Sequence, residues 1–234
     1  MLIDAEKCVG CEECVPYCPM EAIEVVAGVG RIDQELCVEC GVCYRVAECP
    51  SGALTVAELE WPRSVRAFFS DPVSVHPLTG LSGRGTEEMK TNDITNRFMD
   101  GEAGVGVEVG RPGVGTTFQD VELISMEIAK LKVTFEEKNP LTALMSDQKT
   151  GKIKEEILKE RVLSAIIEFK VELTVLPEVI KALRRVEDKV NTVFTVDLIC
   201  KVAQDGSIPT IPIAHKLEIK LSENTKTNIG WGHL

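Results

Sequence analysis

Aromatic residues make up only 5% of this 234-residue chain, and histidine occurs three times. His76, His215 and His233 lie in separate regions, so surface or core roles fit them better than a shared catalytic one. No apolar run approaches the roughly 20 residues that a membrane span needs. Met1-Leu2-Ile3-Asp4-Ala5-Glu6 has neither a basic stretch nor an apolar one, and no twin-arginine signal follows. The expectation is therefore a cytoplasmic protein without membrane contact. No Ser–His–Asp set, H-E-x-x-H helix or P-loop occurs, which leaves hydrolase, zinc-protease and nucleoside-triphosphatase chemistry without a carrier. What remains is ample for a core, since 44% of the residues are hydrophobic. The length suits two ordinary domains better than one.

Charge is unevenly spread. Residues 1–60 hold twelve acidic and three basic residues (Lys7, Arg31, Arg45), a net of −9 out of −11 for the chain. The other 174 residues hold 25 acidic and 23 basic, a net of −2. An acidic module repels nucleic acid and steers toward basic protein surfaces.

Eight of the nine cysteines fall between positions 8 and 49. The first run, Cys8-Val-Gly-Cys11-Glu-Glu-Cys14-Val-Pro-Tyr-Cys18-Pro19, reads C-x2-C-x2-C-x3-C-P. The second, from Cys37 through Cys40 and Cys43 to Cys49-Pro50, reads C-x2-C-x2-C-x5-C-P. Ile3-Asp4-Ala5-Glu6-Lys7-Cys8 parallels Ile32-Asp33-Gln34-Glu35-Leu36-Cys37, and Ala22-Ile23-Glu24-Val25 parallels Ala53-Leu54-Thr55-Val56. The offset is 29 at the first three cysteines and 31 at the fourth, which confines the insertion to the stretch between Cys43 and Cys49. A disulfide framework requires an oxidising compartment, and a cytoplasmic chain is not expected to meet one. Zinc sites typically pair C-x2-C units, often with histidine, and no histidine lies near.

These runs resemble those of the two-cluster bacterial-type [4Fe–4S] ferredoxins, over residues 1–58. Three thiolates at short intervals reach three irons of one cubane, and the resemblance implies that the fourth cysteine of each run serves the other cluster. It thereby assigns Cys8, Cys11, Cys14 and Cys49 to cluster one, and Cys37, Cys40, Cys43 and Cys18 to cluster two. It also implies a small βαββαβ-like module with pseudo-twofold symmetry, whose activity is one-electron transfer. The longer second loop departs from the family pattern. Val9, Val15, Val38, Val42, Ile23 and Leu54 are expected to shield the clusters, and anionic clusters in dry sites are expected to have low potentials. Cys200, in an alternating segment, reads as a buried structural thiol.

The rest of the chain reads as a linker or long functional loop over 61–100, then an α+β domain over 101–234. Half of the 18 glycines fall within residues 80–115. A strand is expected at 104–109, and a helix from Thr117 to about Leu131 with Thr116 or Thr117 as N-cap. A short strand or last helical turn follows at 132–136, then a short helix or turn within 147–160. A strand at 165–173, a helix at 177–190 and strands at 193–202 and 216–221 complete the order. This β-α-β-β-α-β order predicts a ferredoxin-like sandwich of two helices on an antiparallel sheet, and it weakly resembles ACT-type ligand-binding domains. Gly110, Arg111, Gly113 and Gly115 form a loop before a helix N-terminus, a tight turn or an anion site. Arg84, Lys90, Asn92, Asp93 and Arg97 form a polar set, either a solvated loop or a site for phosphate or carboxylate.

The chain thus reads as an electron carrier, with its C-terminal domain for partner docking or ligand sensing. The alternative is the iron–sulfur subunit of a reductase whose 79–115 segment binds an anionic substrate. The expected partners are a redox protein with a basic surface, a small anionic ligand and a second copy meeting the C-terminal domain.

Overall fold

The computed structural model describes residues 1–86, 89, 92–111 and 113–220, without the side chains of Asp93 and Ile94. The internal repeat of the sequence is a repeat of backbone. Strand β1 (Leu2–Ile3) pairs antiparallel with β4 (Leu54–Thr55), and β2 (Ile23–Val26) with β3 (Val29–Ile32). The two halves close on each other reciprocally: Asp4 N–H donates to the Ala53 carbonyl and Asp33 N–H to the Ala22 carbonyl, both at 2.8 Å. The β2–β3 connection has positive φ at both Ala27 (53°) and Gly28 (80°), the twist that a two-residue hairpin requires. The two extra residues before Cys49 extend a helical turn. Residues Val15–Tyr17 form a 3₁₀ turn in the first half, and α1 (Val42–Val46) takes that place in the second.

Helix α2 (Ser64–Ser70) lies where the absence of periodicity suggests a linker. It turns Val65 and Phe69 into the larger core, Phe69 meeting Phe118 edge-to-face at 5.4 Å. Seven residues are too few for apolar spacing to be read against their neighbours, and tertiary packing supplies the stability. A short helix, α3 (Asn92–Thr95), precedes the main sheet.

The sheet is built on β5 (Glu102–Val109), which pairs along its length with β11 (Ala165–Glu172) on one side and β12 (Phe194–Cys200) on the other. β7 (Thr134–Phe135) pairs with β11, so the order is β12-β5-β11-β7, all neighbours antiparallel. Helices α4 (Phe118–Ala129) and α5 (Leu176–Val186) contribute Phe118, Val121, Ile124, Ile128, Val179 and Leu183 to one core with the sheet. Each fully buried aliphatic or aromatic side chain there stabilises the fold by about 1.5–3 kcal/mol relative to exposure. Thr117 caps α4 as expected, its hydroxyl accepting from Asp120 N–H at 3.2 Å. The peripheral strands are β6 (Thr116–Thr117) with β10 (Arg161–Val162), and the hairpin β8 (Met145–Asp147) with β9 (Lys152–Ile153).

The second face of β5 is also covered. Gly104 leaves the space that Phe98 and Met89 fill, a Cβ there falling 2.2 Å from the Phe98 ring. Buried Glu168 on β11 accepts from Thr86 N–H at 3.0 Å and from the Asn139 amide at 2.6 Å. Part of the glycine-rich segment is thus a lid over the sheet.

The alternation at 216–221 suggests a strand, but helix α6 (Thr210–Lys216) occupies its start. Leu217 and Ile219 then pack against the main core from a turn rather than extending the sheet. Leu221 and His233 lie outside the described residues. Among the described residues, no helix is long and apolar enough to cross a membrane.

Candidate metal centre

The two cysteine runs fold around two voids. One is ringed by Cys8, Cys11, Cys14 and Cys49, the other by Cys18, Cys37, Cys40 and Cys43. They hold about 350 and 330 Å³ of atom-free space, mouths included. In each, three cysteines come from one run and the fourth crosses from the other.

Left-handed backbone shapes both rings, and it recurs at the repeat offset. Gly10 (φ 65°) matches Glu39 (57°), Glu12 (64°) matches Gly41 (67°), and Glu21 (52°) matches Gly52 (61°). Such residues reverse the chain between ligands and turn successive N–H groups inward. Backbone donors already reach sulfur: Ala22 to Cys18 at 3.2 Å, Ala53 to Cys49 at 3.3 Å and Gly30 to Cys8 at 3.2 Å. N–H groups of this kind favour thiolate over thiol, the state a metal requires.

The thiols sense one another as ring members should. Burial, then the nearby Cys40, Cys18 and Cys37, push Cys43 up to about 11. Burial, then Cys11, Cys8 and Cys49, raise Cys14. Burial also acts to raise Cys49, but the Ala53 N–H, the Ser51 hydroxyl and further N–H groups outweigh it and bring that thiol to about 7. Four mutually opposed thiolates need a cationic core to hold them. Among the described residues no three His, Cys, Asp or Glu side chains close on a single-ion site. Four cysteine sulfurs with no histidine are a donor set that fits a cubane, which keeps its thiolates apart.

The rings differ in exposure. In one ring Cys37, Cys40 and Cys43 are buried and Cys18 is intermediate; in the other Cys11 is exposed and Cys8, Cys14 and Cys49 are intermediate. Val38, Ile23 and Leu54 are buried as expected of shielding residues. Val9 is 64% exposed, yet it lines the void ringed by Cys8, Cys11, Cys14 and Cys49. Cys200 is half-buried with its sulfur 3.5 Å from the Thr210 hydroxyl.

The polar set of the glycine-rich segment is largely engaged internally. Asn92 closes its own turn, accepting from Phe98 N–H at 2.7 Å and donating to the Phe98 carbonyl at 3.1 Å. Arg97 pairs with Glu136 at 3.4 Å. Arg84 pairs with Glu108 at 3.3 Å and is lowered by burial, with Arg111 also close enough to lower it. Gly110 N–H donates to the Val193 carbonyl at 2.8 Å and Gly115 N–H to Gly110 at 2.9 Å. Gly115 also touches the metal-centre half of the molecule: a Cβ there falls 2.7 Å from Met20, which lines the Cys18–Cys43 void. Lys90 lies outside the described residues, as does the Asp93 side chain. His76 is buried against Phe68 and Phe69, and burial, then Lys154, lower its basicity.

Arg63 and Arg66 have no place in the cysteine pattern, yet both grip the loop that carries Cys37 and Cys40. Arg66 donates to the carbonyls of Gln34 and Cys37, both at 2.8 Å, and Arg63 to Glu39 at 2.6 Å. Their signal in the sequence is faint: two arginines three apart, directly after a segment of net −9.

The comparisons with known proteins agree with the cysteine chemistry. A family model described as a 4Fe-4S binding domain matches residues 1–24. Ferredoxin-1 of Rhodobacter capsulatus is 36% identical over 55 residues, covering 24% of this chain and 85% of that protein. Pyruvate synthase subunit PorD of Methanocaldococcus jannaschii is 44% identical over 55 residues, 23% of this chain and 62% of the relative. A subunit of the ion-translocating oxidoreductase complex of Methanosarcina acetivorans is 47% identical over 47 residues, 20% of this chain and 17% of its own length. The chain thus spans less than two thirds of these last two relatives. No solved structure matches it significantly. Through its N-terminal segment, the chain belongs to the [4Fe–4S] ferredoxin family.

Proposed function

We propose that the protein carries two [4Fe–4S] clusters and transfers electrons one at a time. Cys8, Cys11, Cys14 and Cys49 hold cluster one; Cys37, Cys40, Cys43 and Cys18 hold cluster two. The observation that carries this reading is the exchange of the fourth cysteine between the two rings. When bound, each cubane supplies a one-electron couple, and the protein supplies thiolates, sulfur-directed N–H groups and exclusion of water. Anaerobic reconstitution should give about eight irons and eight sulfides per chain, with reversible reduction seen by electron paramagnetic resonance. About four irons, or zinc in their place, would refute it.

The region after residue 100 is proposed to be a ferredoxin-like α+β sandwich, supported by the strand order β12-β5-β11-β7 with α4 and α5 in the same core. Its role is to dock a redox partner or sense a ligand. Relatives named as subunits of a pyruvate synthase and of an ion-translocating oxidoreductase complex favour a subunit-like role. The −9 of residues 1–60 favours a basic partner surface. A second reading is a reductase subunit that binds an anionic substrate at the 79–115 segment. It draws support from the closeness of Arg84 to Arg111 and of Gly115 to Met20.

A further inference from the structure

The two rings of cysteines sit in different electrostatic surroundings. The loop that leads through Cys37 to Cys40 is clasped by three arginines. Arg66, itself only 4% exposed, donates to the carbonyl oxygens of Gln34 (2.8 Å), Glu35 (3.2 Å) and Cys37 (2.8 Å). Arg63 donates to the Gln34 carbonyl at 2.9 Å and to Glu39, and Arg45 to the Cys40 carbonyl at 2.6 Å. The ammonium group of Met1 also meets Glu39. Against these four cations stand three carboxylates: Glu39, Asp71 on Arg45, and Glu160 on Arg66. Among these paired groups four minus three leaves one positive charge; Asp33 and Glu35 of the same loop are exposed and screened by solvent. The wall of the other ring carries Glu12 and Glu13 and no cation.

We infer that Arg45, Arg63 and Arg66 form a redox-tuning clamp that raises the reduction potential at Cys37, Cys40, Cys43 and Cys18 above that at Cys8, Cys11, Cys14 and Cys49. The inference rests on the two-cluster reading. Reduction adds negative charge, so a neighbouring cation favours the reduced form and a neighbouring carboxylate opposes it. Burial of the Cys37 ring opposes added charge in itself. The same burial removes the water and salt that would screen Arg66, the most strongly acting member of the clamp, whereas Arg45 and Arg63 are partly exposed and charges near the exposed ring are screened. Arg45 lies within the cysteine module, between Cys43 and Cys49, but the other two arginines of the clamp do not. Arg63 and Arg66 sit on and before α2, which packs into the larger core, and Glu160 precedes β10. The second half of the molecule thereby sets a property of the first.

The test is an anaerobic redox titration of the reconstituted full chain, followed by electron paramagnetic resonance. Arg66→Gln should lower the more positive of two one-electron steps, with a roughly tenfold fall in the reduced-to-oxidised ratio at fixed potential, about 59 mV. Glu160→Gln removes the other partner of the same ion pair and should raise that step. Arg66→Lys should restore most of the wild-type value. Both glutamine variants break the same contact, so simple loosening would move the step in one direction for both. Opposite shifts support the clamp; equal-sign shifts, no shift, or movement of the more negative step overturn it. Should Arg66→Gln fail to take up iron, Arg63→Gln and Glu39→Gln supply the same opposed pair. About four irons per chain before titration overturns the two-cluster reading itself, whereas about eight irons with unmoved steps overturns only the clamp.

Discussion

Gly10 and Glu39 hold equivalent places in the two cysteine runs and share a left-handed backbone, yet only Gly10 must be glycine. A Cβ at Gly10 falls 2.3 Å from the Gly28 carbonyl oxygen, a backbone atom of the β2–β3 turn that cannot step aside. Glu39 adopts the same backbone with a side chain in place, its buried carboxylate meeting Arg63 and the amino terminus. Left-handed backbone costs a non-glycine residue about 1–2 kcal/mol, and at position 10 the clash adds to it. Gly10→Ala is therefore expected to lose the cluster at Cys8, Cys11, Cys14 and Cys49 and to halve the iron content, while the Cys37 ring keeps its own. Iron analysis of the purified variant checks this, and an unchanged content would contradict it. The cysteine spacing leaves position 10 unspecified, and the need for glycine there comes from Gly28, eighteen positions away.

At the scale of the element, the N-terminus of α4 joins local and long-range bonding. The Thr117 hydroxyl accepts from Asp120 N–H and donates to the Asp120 carboxylate at 2.8 Å. That carboxylate also accepts from Asn191 N–H at 2.9 Å, tying the helix to the approach of β12. Thr117→Ala should destabilise the sheet domain by about 1 kcal/mol, the usual worth of an N-cap. Denaturant unfolding followed by far-ultraviolet circular dichroism measures it; a change below a few tenths would mean that Asp120 alone holds the turn. This cap was readable from Thr117-Phe118-Gln119-Asp120, since capping is a matter of adjacent residues. The segment at 216–221 was misleading for the opposite reason. Leu217 and Ile219 alternate as in a strand, but whether they reach a sheet edge depends on where Thr210–Lys216 coils first.

At the scale of the molecule, the two halves have very different means of support. The buried hydrophobic cluster of the N-terminal module consists of Met1, Ala22, Ile23, Cys37, Cys43 and Leu54, two of which are proposed ligands. A segment of about sixty residues with so small a core seldom folds without metal or cross-links. The sheet domain has a continuous core running from α2 to α5. Removing iron with a chelator after oxidation is expected to expose the backbone of residues 1–60 to hydrogen exchange while β5 and β11 stay protected. Persistent protection of residues 1–60 would show that Arg63 and Arg66 suffice to hold the module.

Spacing of the cysteines, their twofold repeat and the site of the insertion were decided by sequence alone, because a cubane demands thiolates at short fixed intervals and the chain displays them directly. The order of elements after residue 100 was also largely readable, since apolar periodicity is local. Three things were decided only by tertiary structure: the arginines that clasp the Cys37 loop, the difference in exposure between the two rings, and the engagement of Asn92, Gly110 and Gly115 in internal bonds. Each depends on groups far apart in the chain. Arg66 and Cys37 meet across 29 positions, and Arg66 and Glu160 across 94. Hydrogen bonds and charges act over a few ångströms of space, and no local pattern records which distant residues folding will bring that close.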